Sequence, residues 1–289
     1  MEEFNAKFNN LKIDIQEIEK LRKAGVLRHA SEVEDHGDND DDQPFVQQDL
    51  KDWTSLFPEA YNQGGCGSCW SFSTVGVVSA FVAKKCNAAY VRLSEQQMVD
   101  CDEYQKGCTK GGTFSRAYEY IVNNGLTTET EYPYIADLGR CKIMGCKKVT
   151  EYKPYGSVTF AKYCMKGDPF GGACTDKDVK RFINKGPITA AIDGGILKDY
   201  TGGVINTPAS HVTHGVIIVA FGDCPIEEGS SYKQSNLKCF KIRNSWGDTW
   251  GEDGYGYVQY TRDDYTNLTA GGLGEYMYQP SDVKSDCKK

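Results

Sequence analysis

Twelve cysteines, and where they stand, constrain this 289-residue chain most. All of them lie from Cys66 onward and none falls in the first 44 residues. Reduced cytosolic proteins seldom carry so many, so the body is expected to be crosslinked in an oxidising compartment. Metal binding is the other common use of clustered thiols. Here there are only four histidines and no C-x2-C pair followed by a second one. That pattern implies no metal and no cofactor.

Charge divides the chain at the same place. Residues 1–44 hold six Lys+Arg against twelve Asp+Glu, and the other 245 hold 27 against 28. The formal net charge of −7 therefore sits almost wholly on the N-terminal segment, and no excess of basic residues points to nucleic acid. No run of about 18 apolar residues is present, so no membrane span is expected. Met1-Glu-Glu opens without an apolar leader, so an exported form is expected to have had its leader removed elsewhere.

Within the segment, Phe4, Phe8, Leu11, Ile15 and Ile18 recur at helical spacing. This predicts one amphipathic helix over residues 3–24, stopped by Gly25. His36-Gly-Asp-Asn-Asp-Asp-Asp-Gln-Pro44 is too acidic to bury and reads as an exposed linker open to proteolysis. The segment is either a packing helix of the same domain or, the reading favoured here, a removable piece lying on the body.

The body, 45–289, is expected to be α+β with two subdomains: a helical half over about 45–150 and a β-rich half over about 151–289. Helices are predicted over 69–83, from Ser94 with Gln97 completing a capping box, over 113–124, and over 175–185 with Thr175 or Asp176 as N-cap. Ile188–Ile192, Gly215–Phe221, Cys239–Arg243 and Gly254–Tyr260 read as strands.

The chemistry concentrates in Gln63-Gly-Gly-Cys66-Gly-Ser-Cys69-Trp70. Cys66 and Cys69 fit three readings: a redox pair, two structural thiols, or one structural cysteine beside a nucleophile. Cys69 opens a predicted helix, where backbone N–H groups favour a thiolate. A thiolate nucleophile needs a proton partner. His29 and His36 lie in the N-terminal segment, which leaves His211 and His214. His214 leads into a strand and is the favoured base; His211 sits in a loop as a bystander. Asn244 can accept the far imidazole N–H and fix the tautomer, with Trp246 shielding that bond. The Cys69 N–H and the Gln63 amide are the candidate oxyanion donors.

Gln63-x-x-Cys66-Gly-Ser-Cys69-Trp70 resembles the signature around the nucleophile of the papain-like, cathepsin-type cysteine proteases. The resemblance spans most of residues 45–280. Leu93-Ser-Glu-Gln-Gln-Met-Val-Asp-Cys101, Cys108-Thr-Lys-Gly111-Gly112, Glu131-Tyr-Pro-Tyr134, Lys185-Gly-Pro187, His214-Gly-Val and Asn244-Ser-Trp-Gly-x-x-Trp-Gly-Glu-x-Gly-Tyr255 follow in the family's order. It implies a helical left domain and a barrel-like right domain with the cleft between them. It implies Cys69 as nucleophile, His214 as base, Asn244 as orienter and Gln63 as oxyanion donor. It also implies disulfides Cys66–Cys108 and Cys101–Cys141, which leave Cys69 free.

Departures from the pattern carry information. Two residues, Thr109 and Lys110, separate Cys108 from Gly111-Gly112 where the family has one, so either glycine is a candidate to pair with substrate backbone. The family's right-domain disulfide is missing, with Gly271 at its downstream position. Weaker expectations pair Cys224 with Cys239 and Cys164 with Cys174. Eleven cysteines remain once Cys69 is set aside, so one more must be unpaired or paired outside the chain; Cys86, Cys146 and Cys287 are the candidates. Tyr276 aligns near the floor of the S2 pocket and is preferred to Glu275 there. No His-His insertion marks a carboxydipeptidase, which favours an endopeptidase acting on protein or peptide substrates. The family also implies a monomer, lysosomal, vacuolar or secreted, that meets its own propeptide and protein inhibitors. Residues 1–44 read as that propeptide, though short for one. Two other functions compete: a catalytically silent homologue acting as a binding protein, and a thiol–disulfide oxidoreductase using Cys66 and Cys69. Asn267-Leu-Thr269 is a glycosylation sequon.

Overall fold

A computed structural model describes residues 14–32, 51–103, 105, 107–143, 156–159, 161–165, 174–225, 237–260, 270–285 and 287. Its helices are α1 (Ile15–Lys23), α2 (Cys69–Cys86), α3 (Glu95–Cys101), α4 (Gly107–Lys110), α5 (Phe114–Asn124) and α6 (Asp176–Lys185). Its strands are β1 (Leu27–His29), β2 (Ser157–Val158), β3 (Ala161–Met165), β4 (Ile188–Ile192), β5 (Val204–Ile205), β6 (His214–Asp223), β7 (Lys238–Arg243), β8 (Tyr255–Tyr260), β9 (Tyr276–Pro280) and β10 (Val283–Lys284). One sheet runs β1-β3-β9-β4-β6-β7-β8-β5, and β10 pairs with β2 in a second. The α+β class is as expected. No helix among the described residues is long and apolar enough to cross a membrane.

Helix α2 organises the molecule. Fourteen of its 18 residues are buried, more than one face of a helix can account for. Trp70, Val75, Val78 and Val82 join one core with α1, α3, α5 and β9. Val77 and Ala80 join another with Ile217 and Val219 of β6. A helix apolar on both sides has to be central. Gly76 makes the close approach to the sheet possible: a Cβ there would lie 2.6 Å from Ile217 Cδ1. Two of the small hydroxyls that α2 buries find backbone acceptors, while Thr74 Oγ1 has no partner among the described residues. Ser73 Oγ donates to the Cys69 carbonyl at 2.8 Å, and Ser71 Oγ to the Glu95 carbonyl at 3.0 Å.

The caps explain why the other helices start where they do. Thr113 accepts from the Arg116 N–H and Gly125 ends α5. Thr175 is the N-cap of α6 and forms a full box with Asp178. At α3 only half of the expected box forms. Ser94 accepts from the Gln97 N–H, but the Gln97 amide turns away to Tyr120, Gly125 and Thr127. The one-turn α4 absorbs the extra residue between Cys108 and Gly111.

Five disulfides join Cys66–Cys108, Cys86–Cys287, Cys101–Cys141, Cys164–Cys174 and Cys224–Cys239. Cys86 and Cys287 therefore pair with each other and are not spare thiols. With Cys69 a free thiol, the remaining cysteine is Cys146, which lies outside the described residues, as do the acidic linker and Asn267. The missing right-domain disulfide has a polar replacement. The Asp193 carboxylate accepts from the N–H groups of Gly195, Ser210 and His211 and from the Ser210 hydroxyl, which pins the loop before β6. Burial acts against that charge, but the four donors outweigh it and hold Asp193 below the usual carboxylate range.

The N-terminal segment is built into this frame. Helix α1 covers only the second half of the predicted 3–24 helix; residues 1–13, with Phe4, Phe8 and Leu11, lie outside the described residues. Ile18 and Leu21 are buried, whereas Ile15 is 47% exposed and does not share the buried face expected of it. After Gly25, β1 adds to the sheet edge, parallel to β3 with Leu27 opposite Ala161. His29 packs edge-on against Tyr163 at 5.5 Å, and Tyr163 stacks on Tyr278 at 5.8 Å. Arg22 donates to the Tyr163 hydroxyl at 3.1 Å and pairs with Glu32.

Leu21→Ala is expected to cost about 2–5 kcal/mol, the usual range for emptying a closed leucine site. In hydrogen exchange the amides of Leu27–His29 should lose protection while those of β6 keep theirs; equal loss in both would mean that the segment does not open on its own. Acid should act in the same direction. Burial opposes the Glu32 charge, but the Arg22 and His29 bonds outweigh it and lower its pKa. A lowered carboxylate pKa stabilises docking above the ordinary range, near 4.3, and that contribution is lost as pH falls through the lowered value.

Candidate active site

Cys69 is the first residue of α2, and His214 is the first residue of β6. Packing of α2 on β6 brings these two ends together. A Cβ placed on Gly215 would meet the Cys69 carbonyl oxygen at 3.0 Å and Ser73 Oγ at 2.8 Å. No other residue fits between the base and the nucleophile. Both Cys69 and His214 are fully buried. His211, by contrast, sits in an exposed loop and contributes a backbone N–H to Asp193.

The imidazole is fixed from one side. His214 Nε2 lies 2.8 Å from Asn244 Oδ1, at the end of β7. An amide oxygen can only accept, so Nε2 carries the proton and Nδ1 is the basic nitrogen. Nδ1 has no hydrogen-bond partner among the described residues. Trp246 covers the ring, with centroids 4.7 Å apart, and Trp250 meets Trp246 edge-on at 5.7 Å. Asn244 Oδ1 also accepts from the Ser245 N–H at 2.8 Å, which holds the amide in that orientation.

Gln63 is buried beside the thiol and held on three sides. Its N–H donates to the Ser245 carbonyl at 2.8 Å, its Oε1 accepts from Ser245 Oγ at 2.5 Å, and its Nε2 donates to the Cys66 carbonyl at 2.8 Å. An amide nitrogen carries two hydrogens, so one N–H of Nε2 is left over. Ser245 and Tyr134 were missed at the sequence level. Tyr134 donates to the Gln63 carbonyl at 2.9 Å and meets Ser68 Oγ at 2.7 Å. Position beside Asn244 was the only signal for Ser245, and the Tyr-Pro-Tyr motif was the signal for Tyr134.

The glycine turn lies against Trp70, the residue after Cys69. Gly111 has φ +63°. Gly112 is flush against the body, where a Cβ would run into Trp70 and the Gln105 side chain. Gln105 in turn brackets Thr113, donating to its carbonyl at 3.1 Å and accepting from its N–H at 2.5 Å. Tyr276, at the start of β9, is partly buried against the core that contains Phe114. Cys66 is consumed by its disulfide to Cys108, so no redox pair exists with Cys69.

Electrostatics in this closed state favour neutral partners. Burial pushes the Cys69 thiol up to about 11, against the N–H groups of Gly215, Trp70 and Cys69 that stabilise its anion. Burial likewise lowers His214 to about 4, against the Asn244 bond that favours its cation. Both shifts have one cause, removal of water from a charged form.

A helix-start thiol, a strand-start imidazole, an orienting amide and a second amide at hand make up this site on an α+β frame. The sequence profile described as papain family cysteine protease matches residues 47–273, and the chain belongs to that family. It is 35% identical over 237 residues to a viral cathepsin of Antheraea pernyi nuclear polyhedrosis virus, covering 80% of this chain and 64% of that protein's length. Among solved structures, procathepsin L2 from the larval midgut of Tenebrio molitor superposes with a TM-score of 0.71 at 27% identity, covering 96% of this chain and 79% of its own. A Carica candamarcensis cysteine protease in complex with E-64 superposes with a TM-score of 0.64 at 25% identity, covering 81% and 98%.

Asn244→Ala leaves His214 Nε2 without its acceptor in a buried site. The ring then loses its fixed tautomer and a bond that favours its cation. Peptide hydrolysis by protein freed of residues 1–44 is expected to fall roughly tenfold or more in kcat, within the span attributed to positioned acid–base groups. Asn244→Gln should not restore it. Unchanged kcat in Asn244→Ala would show that the bond at 2.8 Å does not orient the base.

Proposed function

We propose that the chain is a cysteine endopeptidase made as a zymogen, and that residues 1–44 are its inhibitory segment. The observation that carries this reading is the seating of Cys69 at the start of α2 against the His214–Gly215 backbone, with Asn244 behind the imidazole. His214 Nδ1 takes the thiol proton and the thiolate attacks the substrate carbonyl carbon. The oxyanion accepts from the Cys69 N–H and the remaining Gln63 Nε2–H. The imidazolium returns the proton to the departing amine, leaving a thioester on Cys69. Water, deprotonated by His214, then releases the acid and regenerates the thiol. The Gly111-Gly112 turn offers backbone to the substrate, Trp246 shields the imidazole and Tyr276 shapes the S2 pocket.

The zymogen reading draws support from how residues 15–32 dock, through buried side chains that include Ile18, Leu21, Val26 and Leu27, an edge strand and the Glu17–Arg116 ion pair, and not through a covalent tie. The superposition with a procathepsin also extends over more of this chain than that with the E-64-bound enzyme. While the site is closed, the neutral thiol and neutral imidazole are the favoured forms. Loss of the segment would admit water and let the pair ionise together. The mature enzyme is read as a monomer of lysosomal, vacuolar or secreted compartments, acting on protein or peptide substrates and open to protein inhibitors.

Protein lacking residues 1–44 is expected to hydrolyse unstructured peptides at least about a hundredfold faster than the intact chain at mildly acid pH, because attack requires the thiolate. Cys69→Ser should abolish the activity. Equal rates at every pH would contradict the inhibitory segment. An absence of hydrolysis together with an unreactive Cys69 would favour the silent binding protein. Native labelling of both Cys66 and Cys69 would favour the oxidoreductase.

A further inference from the structure

Glu17 is a charged residue that α1 buries to 8% exposure on the body. Its partners are all on the first turn of α5. Glu17 Oε2 accepts from Thr113 Oγ1 at 3.2 Å and from Ser115 Oγ at 3.1 Å. Glu17 Oε1 pairs with the Arg116 guanidinium, which is also held by Glu119. Ser115 is 2% exposed and its hydroxyl lies 3.0 Å from that of Thr113. Two hydroxyls, a guanidinium and the positive end of an 11-residue helix converge on one carboxylate.

This cradle adjoins the reacting groups. Phe114 stands between Thr113 and Ser115, and its ring edge lies 3.1 Å from the Cβ position of Gly215, the residue after His214. The glycine turn at Gly111-Gly112 runs directly into Thr113. The cradle is thus continuous with the turn proposed above to offer backbone to the substrate.

We propose that the Thr113–Ser115–Arg116 cradle is a specificity subsite of the mature enzyme for an acidic side chain of the substrate, and that Glu17 occupies it while the N-terminal segment is in place. The proposal rests on the zymogen reading above. Removal of the segment leaves two hydroxyls and a guanidinium arranged for a carboxylate that has left. A substrate Glu or Asp restores those bonds; a Gln offers the guanidinium a neutral group in place of the carboxylate, and an apolar side chain offers it no polar group beyond its pair with Glu119. Arg116 is the discriminating residue, since the hydroxyls also serve neutral acceptors.

The test uses protein lacking residues 1–44 and matched peptides that differ only as Glu or Gln at each position around the scissile bond. The kcat/KM ratio is expected to favour Glu about tenfold at one position, in keeping with a charge-assisted pair. That ratio should fall towards one in R116Q and below one in R116E. A ratio near one at every position, or the same ratio in R116Q as in the parent, overturns the subsite and leaves Glu17 as a latch only. If no peptide is cleaved while Cys69 labels rapidly, the peptidase reading fails separately. Binding of the Glu and Gln peptides to the Cys69→Ala protein then decides the subsite: a preference for the Glu peptide that R116Q removes supports it, and equal affinity overturns it.

Discussion

The contact between the start of α2 and the start of β6 is the constraint on which the rest of the structure depends. Cys69 and His214 are far apart in sequence, and each is placed by the first backbone atoms of a long, buried element. The absence of a side chain at Gly215 and at Gly76 lets helix and strand approach to within van der Waals distance. Close packing at two points along α2 sets the height of the thiol against the imidazole. A loop-borne pair would lack that precision, because buried interfaces resist displacement in a way that loops do not.

The same burial that positions the pair also suppresses its charge. Burial pushes the thiol up to about 11 and lowers the imidazole to about 4, which favours the neutral couple. An ion pair needs either water or mutual attraction strong enough to offset the loss of hydration. Latency in this account is thus electrostatic as well as steric. The N-terminal segment is suited to a reversible role: its strand occupies a sheet edge, Glu17 pairs with Arg116 on the body, and the Arg22–Glu32 pair within the segment is one that acid weakens. The contact of His29 on Tyr163, and of Tyr163 on Tyr278, ties this edge to the wall of aromatic residues beside Phe114.

Local signals were legible and non-local ones were not. The N-cap at Ser94, the start of α6 at Thr175 or Asp176 and the strand at Ile188–Ile192 follow from neighbouring residues. The catalytic candidates were legible because a thiol at a helix start has few possible bases in a chain with four histidines. Pairing of β1 with β3 was hidden, since three residues at a sheet edge carry no alternation and their partner lies in the other half of the chain. The all-round burial of α2 was also hidden: periodicity reports one face, and its second partner is a strand that follows much later. Cys86–Cys287 joins residues 201 apart, and spacing holds no information on such a pair. Asp193 was overlooked because a carboxylate that replaces a disulfide looks in sequence like any turn aspartate.

The most direct test of the central claim is a titration of His214 by NMR in the intact chain and in protein lacking residues 1–44, each with Cys69 unmodified. The account predicts that in the intact chain the imidazole stays neutral until the pH falls towards about 4. In the shortened protein it predicts an imidazolium that persists to neutral pH and is lost when Cys69 is changed to Ser, because the thiolate sustains it. The same titration curve in both forms would contradict the claim that the N-terminal segment holds the pair in its neutral state.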